Sequence, residues 1–267
     1  MDNEIAEELI EAGRGYENLF VPALFAPWTE HLLTSAGVAE GAHVLDVACG
    51  TGVLARAAQA RVGRTGRVAG ADPAPGMLAV ARKIEPGIEW VLCSAEALDA
   101  EDGSFDHVVS QFGMMFFEDR QKATDEMFRV LKPGGSVAIA TWRSIEHNPA
   151  YAAVISILDT QVSKAAGDAL RMPFSLGEAN PVVAALNASG FAGVATEAIA
   201  ETATFPSTRT MVEAEIRGWL PLFDIHLDEE KISEVLAESD QVLKQYETPS
   251  GEAVFPTTAY VFSATKP

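Results

Sequence analysis

Short apolar runs alternate with stretches of helical periodicity through the first half of the chain. Such runs, rich in β-branched, aliphatic and aromatic residues and bounded by Gly, Pro or acidic residues, predict β-strands. They occupy residues 43–48, 66–72, 88–93, 105–110 and 136–142. Between the last two, Ala123, Met127 and Val130 recur at helical spacing before Lys132-Pro133-Gly134-Gly135 ends the predicted helix. Strands that alternate with helices predict an α/β fold, a parallel sheet with helices on both faces.

The pattern changes after residue 142. Apolar spacing predicts helices within residues 151–158, 178–189 and 207–245, and extended patterns predict strands over residues 192–205 and 252–264. The helical insertion between the last two strands, roughly 40–50 residues long, is too long for a plain loop and predicts a cap over a ligand site.

The chain is therefore expected to form one domain, residues 1–267, with added helical segments. Its predicted parts are an N-terminal helical lid at 1–40, a ligand-binding core at 41–142, cap segments at 143–180 and 206–250, and a final strand at 251–267. In such sheets, ligands bind at the carboxyl ends of the strands.

The charge of the chain argues against nucleic-acid partners. Its 38 Asp and Glu residues outnumber 19 Lys and Arg residues, a formal net charge of −19, and phosphate backbones repel so acidic a surface. A hydrophobic fraction of 48% supports a packed core, yet no apolar run approaches the ~20 residues of a membrane span. The acidic N-terminal segment lacks the basic start of a signal peptide, so we expect a cytoplasmic protein.

Both cysteines, Cys49 and Cys93, lie in apolar runs. Two cysteines are too few for a zinc cluster and do not form the framework of a secreted disulfide-rich domain. We expect free thiols and no metal site.

A glycine-rich turn is the first chemical signal. Residues 50–55, Gly-Thr-Gly-Val-Leu-Ala, fit G-x-G-x-x-G/A between a strand and a helix, where glycines let a ligand approach the backbone. The same pattern occurs in dinucleotide-binding folds. Asp46 favours another ligand, because a carboxylate there would repel a pyrophosphate but suits a ligand with ammonium and sulfonium groups. Asp72 ends the second strand, where it would accept ribose hydroxyls, although a nicotinamide cofactor would need the same acceptor. Ser94-Ala95-Glu96 follows the third strand, where an adenine edge would be read.

Five motifs in order carry a family resemblance: DVACGTG, GAD, CSAEAL, FDHVVSQFGMMFF and EMFRVLKPGG. Together they resemble the class I S-adenosylmethionine-dependent methyltransferases, and most of all the branch of ubiquinone/menaquinone-biosynthesis C-methyltransferases and other small-molecule enzymes. The resemblance covers about residues 40–142. It implies a Rossmann-like, seven-stranded, doubly wound sheet whose last strand is antiparallel.

The resemblance also implies which residues hold S-adenosylmethionine. The methionine moiety would contact Asp46, Ala48, Gly50, Thr51 and Gly52, with Tyr16 of the lid near its carboxylate. The ribose and adenine would contact Asp72, Pro73, Met77, Ser94, Ala95 and Glu96, while Gln111 and Phe112 would approach the reacting methyl group. Relatives often place Asp where this chain has Ser94, a weaker acceptor for an adenine amino group.

Two residues after the fifth strand are candidates for catalysis. His147 would act as a general base or position the acceptor, although capping the next helix or lining the loop explains it better. Arg143 would bind an acidic acceptor or pair with Glu146.

The sequence thus predicts a methyltransferase that uses S-adenosylmethionine and a small-molecule acceptor, by in-line displacement. Two alternatives stay open at this point: a nicotinamide-dependent oxidoreductase, and a non-catalytic protein that binds S-adenosylmethionine. The acceptor atom and the oligomeric state are not predicted.

Overall fold

Seven strands form one sheet within residues 5–267, which are the residues that this computed structural model describes. They are β1 (His43–Val47), β2 (Arg67–Asp72), β3 (Glu89–Leu92), β4 (Phe105–Gln111), β5 (Leu131–Trp142), β6 (Ala192–Phe205) and β7 (Ala253–Thr265). Their order in the sheet is β3-β2-β1-β4-β5-β7-β6. β1 pairs in parallel with both β2 and β4, so that Asp46 lies opposite Gly70 on one side and Val109 on the other.

The last strand, β7, is antiparallel to β5. Near the end of β7, the Lys266 N–H donates to the carbonyl of Gly135 at 2.8 Å, whereas Thr258 accepts from the Arg143 N–H, which follows β5, at 3.0 Å. The later residue of one strand therefore meets the earlier residue of the other, as antiparallel pairing requires. The predicted seven-stranded α/β fold with an antiparallel last strand is confirmed.

Ten α-helices accompany the sheet in the described part of the chain. They are α1 (Glu7–Gly15), α2 (Thr29–Ser35), α3 (Val53–Val62), α4 (Pro75–Ile84), α5 (Arg120–Val130), α6 (Pro149–Gln161), α7 (Lys164–Arg171), α8 (Asn180–Ala188), α9 (Thr208–Ala214) and α10 (Glu229–Val242). Two π-helical segments, Tyr16–Phe25 and Glu215–Trp219, follow α1 and α9. None of the helices described is long and apolar enough to cross a bilayer.

The boundary between α5 and β5 differs from the prediction. The helix ends at Val130 and the strand begins at once at Leu131, which pairs with Phe105. Lys132-Pro133-Gly134-Gly135 therefore lies inside the strand rather than before it. The ladder shifts register there, and such an irregularity accommodates a proline that cannot donate a ladder hydrogen bond.

The chain divides into two compact units. Unit 1 comprises residues up to 141, 178–199 and 259–267, and unit 2 comprises 142–177 and 200–258. Trp28, Leu54 and Met127 are fully buried in unit 1. In unit 2, the parallel rings of Phe205 and Phe255 lie 6.0 Å apart within the core. The assignment of residues 143–180 and 206–250 as cap segments stays a prediction. So does that of residues 1–40 as a lid, of which residues 1–4 lie outside the described part of the chain.

Candidate functional site

The turn after β1 is held in an unusual backbone conformation. Ala48, Gly50 and Gly52 have positive φ angles of 59°, 55° and 89°. The left-handed region is costly for Ala48 and easy for the two glycines. The Cys49 N–H donates to the carbonyl of Ala71 in β2 at 3.0 Å, which fixes the turn to the sheet just before α3 begins. The turn thus lies at the carboxyl end of the central strand, where Ala48 and Gly50 are half-buried and Thr51 is buried.

Gly52 makes room for a side chain of the protein itself. A Cβ at this position would overlap the ring of Trp90 in β3, whose Cζ3 lies 2.8 Å from the Cβ position. Gly70 in β2 leaves the same ring its space, with Cε3 at 2.6 Å, and the Trp90 indole N–H donates to the Glu85 carbonyl at 2.9 Å. The sequence predicted a ligand against Gly52 and missed Trp90, whose only signal was a large aromatic residue opposite Gly70 in the neighbouring strand.

Asp46 is a buried carboxylate that is only partly compensated. The residue is only 1% exposed, and neither carboxylate oxygen has a hydrogen-bond partner of ordinary geometry among the described residues. Burial raises the pKa of Asp46 well above its usual value; the nearby Ala55 N–H and Arg56 lower it in part, whereas the charge of Asp72 raises it further. A buried acceptor of this kind is suited to a cationic hydrogen-bond donor.

Two further acceptors near Asp46 are also buried and unpaired within residues 5–267. They are the hydroxyl of Thr51 in the turn and the side-chain carbonyl of Gln111 at the end of β4. Asp46 pairs with Val109, and Gln111 lies two residues later, so Asp46 and Gln111 share one face of the sheet. The turn and the ends of β1 and β4 therefore present three acceptors with open hydrogen-bonding capacity.

Asp72 joins the turn to the start of α4. One carboxylate oxygen accepts from the Gly50 N–H and the other from the Ala74 N–H, each at 2.8 Å. Burial raises the pKa of Asp72, and these two amides lower it in part. Each oxygen keeps a further lone pair, so hydroxyl donors still have acceptor sites here. Pro73 next to it is exposed and Met77 is half-buried.

The segment after β3 is a turn in which the Ala97 N–H donates to the Ser94 carbonyl at 3.2 Å. Ala95 is buried, and Ser94 and Glu96 are half-buried. Glu96 also has a role that the sequence did not suggest. Its Oε1 accepts from the N–H groups of Glu118 at 2.9 Å and Asp119 at 3.4 Å, and so holds the loop before α5.

The N-terminal π-helix brings aromatic rings to the turn. The Tyr16 ring stacks on Phe25 with centroids 5.3 Å apart, and Phe25 lies 5.9 Å from Phe112. A Cβ on Gly50 would lie 3.9 Å from the Tyr16 ring. The Gln111 amide donates to the Phe25 carbonyl at 3.1 Å, which ties this segment to β4. Burial, with the Asp72, Glu17 and Asp46 carboxylates, raises the pKa of the Tyr16 hydroxyl and keeps it protonated.

Arg56 in α3 connects the same parts. Its guanidinium donates to the Thr51 carbonyl at 2.6 Å and to Glu17 Oε1 at 2.7 Å. The Arg56 and Glu17 side chains are only 22% and 16% exposed. Sequence reasoning missed this contact, because nothing local relates residues 39 positions apart.

The profile of the ubiE/COQ5 methyltransferase family matches residues 22–162, slightly more than half of the 267-residue chain. The chain belongs to this family. The resemblance inferred from the five motifs is thereby confirmed.

Curated ubiE/COQ5 relatives include the ubiquinone/menaquinone biosynthesis C-methyltransferases UbiE of Hydrogenovibrio crunogenus and Xanthomonas oryzae pv. oryzae. The first is 37% identical over 124 residues, which is 44% of this chain and 49% of the relative. The second is 35% identical over 150 residues, 53% of this chain and 59% of the relative. The chain thus spans about half the length of the curated relatives it matches.

Solved structures agree on the fold of this ubiE/COQ5 member. Haemonchus contortus phosphoethanolamine N-methyltransferase 2, in complex with S-adenosyl-L-methionine, has a TM-score of 0.61 at 19% identity. The match covers 97% of this chain and 57% of the Haemonchus chain. The YcgJ protein of Bacillus subtilis has a TM-score of 0.56 at 17% identity, and the match covers 89% of this chain and 97% of the YcgJ chain. At these identities the likeness concerns the fold alone.

The polar and apolar groups at the turn of this family member fit S-adenosylmethionine. Asp46 offers a partly compensated acceptor for an ammonium group, and Asp72 offers acceptors for hydroxyl groups. The unpaired acceptors of Thr51 and Gln111 and the apolar rings of Phe25 and Phe112 complete a site of mixed polarity. A nicotinamide dinucleotide fits less well, because its pyrophosphate would meet the Asp46 carboxylate at the turn.

The two predicted catalytic residues lie in unit 2. The His147 Nδ1 lies 3.1 Å from the Ser144 hydroxyl, and the His147 carbonyl accepts from the Thr258 hydroxyl at 2.9 Å. His147 is exposed and Arg143 is half-buried. Glu146 accepts a hydrogen bond from the Ser144 hydroxyl, which lowers the pKa of Glu146. The catalytic roles of His147 and Arg143 stay predictions.

Proposed function

We propose that this ubiE/COQ5 family member is an S-adenosylmethionine-dependent methyltransferase with a small-molecule acceptor. The observation that carries the proposal is the buried, only partly compensated carboxylate of Asp46 beside the glycine turn, inside the segment that matches the family. When bound, S-adenosylmethionine supplies an activated methyl group on a positively charged sulfur. The net charge of −19 supports a small molecule rather than a nucleic acid as acceptor. The free thiols Cys49 and Cys93 support a reducing, cytoplasmic location.

Residues of the chain bind and orient the cofactor in this proposal. Asp46 accepts from the ammonium group, with Ala48, Gly50, Thr51 and Gly52 forming the turn around the methionine moiety. Asp72 accepts from the ribose hydroxyls. The adenine lies among Pro73, Met77, Ser94, Ala95 and Glu96.

The aromatic segment excludes water from the reacting groups. Tyr16, Phe25 and Phe112 form a continuous set of rings over the turn, and Gln111 is tied to that segment through Phe25. Because the sulfonium is already a good leaving group, alignment and exclusion of water supply most of the catalysis. His147 serves as base or positioning group where the acceptor must lose a proton, and Arg143 binds an acidic acceptor.

Calorimetric titration tests the proposal. S-adenosylmethionine and S-adenosylhomocysteine should bind the purified protein, whereas a nicotinamide dinucleotide should not. Asp72→Asn should weaken both interactions by about ten- to a hundredfold, since one charge-assisted acceptor is worth roughly 1.5–3 kcal/mol. Asp106→Asn is the matched control: Asp106 also accepts a backbone N–H, from His43 at 2.9 Å, but lies at the opposite end of the parallel strands.

Three outcomes would contradict the proposal: no binding of either sulfur compound, equal loss in the Asp106 control, or tighter binding of the nicotinamide dinucleotide. A further measurement distinguishes catalysis from binding alone. Release of S-adenosylhomocysteine in the presence of a panel of phenols, amines, thiols and enolisable carbonyl compounds would establish turnover and the class of acceptor.

A further inference from the structure

Unit 2 contains a cavity of its own. Its volume is about 850 Å³, within the range of small-molecule sites, and apolar side chains make up most of its wall. Phe174 and Phe223 supply two aromatic faces, and Ser144, Glu146, Asp168 and Arg171 supply the polar groups.

Phe174 is supported from behind by a buried hydrogen bond. Its ring lies 5.5 Å from that of Tyr151 in α6. The Tyr151 hydroxyl donates to Glu215 Oε1 at 3.2 Å, and both residues are buried. The hydrogen bond offsets part of the cost of burying the Glu215 carboxyl, and it fixes the Tyr151 ring that backs the first aromatic wall.

Phe223 is supported in a parallel way. Its ring lies 5.4 Å from that of Trp219. The Trp219 indole N–H donates to the carbonyl of Ala169 at 2.9 Å, and Ala169 itself lines the cavity. The second aromatic wall is thus joined to α7.

Glu215 and Trp219 are the two ends of the same π-helical segment. Such segments are rare and frequently occur at functional sites, because the extra residue redirects side chains at a cost in helix stability. In this chain, Glu215 at one end of the segment accepts from Tyr151, which packs against Phe174. Trp219 at the other end packs against Phe223. Both ends of the segment therefore contact residues behind the cavity walls.

The charges at the cavity favour a cation. Arg171 is compensated, since its guanidinium donates to Asp159 at 3.0 Å and to Asp168 at 2.9 Å. Glu146 accepts from Ser144 and lies close to His147, whereas Arg171, the guanidinium of the lining, is engaged by Asp168. Glu146 is then the lining carboxylate that Arg171 leaves unpaired, on a chain that is strongly acidic overall.

We propose that this cavity binds a flat, mostly apolar small molecule with one ammonium group, the ring against Phe174 and Phe223 and the ammonium at Glu146. The inference concerns binding within unit 2 and does not depend on methyl transfer.

Three indoles that differ in charge test it: tryptamine, tryptophol and indole-3-propionate. Binding is followed by calorimetry and by the indole N–H resonances of the four Trp residues. Tryptamine should bind about three- to fivefold more tightly than tryptophol, indole-3-propionate should bind weakest, and the Trp219 resonance should shift most. Phe223→Ala should weaken all three by a similar factor.

Glu146→Gln should bring tryptamine to within about twofold of tryptophol and leave tryptophol unchanged. Glu230→Gln is the matched control, because it removes the same charge from an exposed position in unit 2. Equal binding of the three indoles, a charge preference that survives Glu146→Gln, or shifts confined to other Trp resonances would overturn the proposal. Each outcome can occur whether or not S-adenosylmethionine binds in unit 1, so the two proposals fail separately.

Discussion

Arg56 and Glu17 join the glycine turn to the N-terminal segment through a half-buried ion pair of 2.7 Å. The same guanidinium donates to the Thr51 carbonyl, so one side chain fixes both the turn and the residue next to Tyr16. Burial makes such a pair more valuable than an exposed one, because less water competes for either partner.

Glu17→Gln should therefore lower the free energy of unfolding by about 1 kcal/mol and the melting temperature by roughly 2–4 °C. It should also weaken S-adenosylhomocysteine binding by about three- to tenfold, since Tyr16 is held less firmly over Gly50. Differential scanning calorimetry and titration measure the two effects.

The control for this pair is Glu30→Gln. Glu30 pairs with Arg61 and likewise connects an N-terminal helix to α3, but its side chain is 71% exposed. A change near zero is expected for both stability and binding. Equal effects in Glu17→Gln and Glu30→Gln would contradict the role given to the buried pair.

Gly52 should tolerate no side chain. Gly52→Ala combines a left-handed φ of 89° with overlap on the Trp90 ring, so we expect a loss of about 3 kcal/mol or more in the free energy of unfolding. Gly134→Ala isolates the backbone contribution, because Gly134 has a φ of 79° but no atom within 4 Å of its Cβ position. That control should lose only about 1–2 kcal/mol.

Chemical denaturation of the two glycine variants measures the difference. Trp90→Leu should recover part of the stability lost in Gly52→Ala, because the shorter side chain leaves space for the new methyl group. Equal losses in the two glycine variants, or no recovery in the double variant, would show that the Trp90 contact does not govern Gly52.

Local patterns predicted most of the sheet. The extended pattern over 192–205 coincides with β6, and the acid that ends the second strand occupies the expected place at the turn. These features depend on neighbouring residues and on a period of two, which a single sequence displays.

Contacts between distant residues were not predictable in this way. Trp90 against Gly52, Glu96 on the loop before α5 and Arg56 with Glu17 depend on how elements pack, and no local spacing records that packing. The π-helical segment at Glu215 was missed for a related reason, since its sequence reads as ordinary amphipathic helix and the extra residue is stabilised by tertiary contacts.

Glu215 should make the stability of unit 2 depend on pH. Burial raises the pKa of Glu215 to about 7 in the folded protein, against a usual value of 4.5, and the Tyr151 hydroxyl lowers it only in part. Because the folded state prefers the protonated acid, its stability is full below pH 4.5 and falls as the pH rises toward 7. The loss amounts to about 3 kcal/mol by linkage.

Glu215→Gln should remove this loss, so that the variant gains stability relative to the wild type between pH 5 and pH 8. Melting temperatures at several pH values in that window measure the gain. Glu213→Gln changes a half-buried acid of the same helical region, with a side chain that is 40% exposed, and should leave the pH dependence intact. If the melting temperature of the wild type changes with pH in parallel with that of Glu215→Gln, Glu215 is not the source of the pH dependence.

Asp46→Asn should separate stability from function. Asp46 is buried with no hydrogen-bond partner of ordinary geometry among the described residues, so removal of its charge should raise the free energy of unfolding at pH 8 by about 1–2 kcal/mol. The same change removes the acceptor proposed for the ammonium group, and S-adenosylmethionine binding should fall by about ten- to a hundredfold.

Asp106→Asn provides the opposite case. Asp106 accepts from the His43 N–H and from Lys132 at 2.7 Å, so this variant should lose stability while its binding is unchanged. Denaturation and calorimetric titration of both variants give four values, and a destabilised Asp46→Asn with undiminished binding would mean that this carboxylate serves the fold rather than the cofactor.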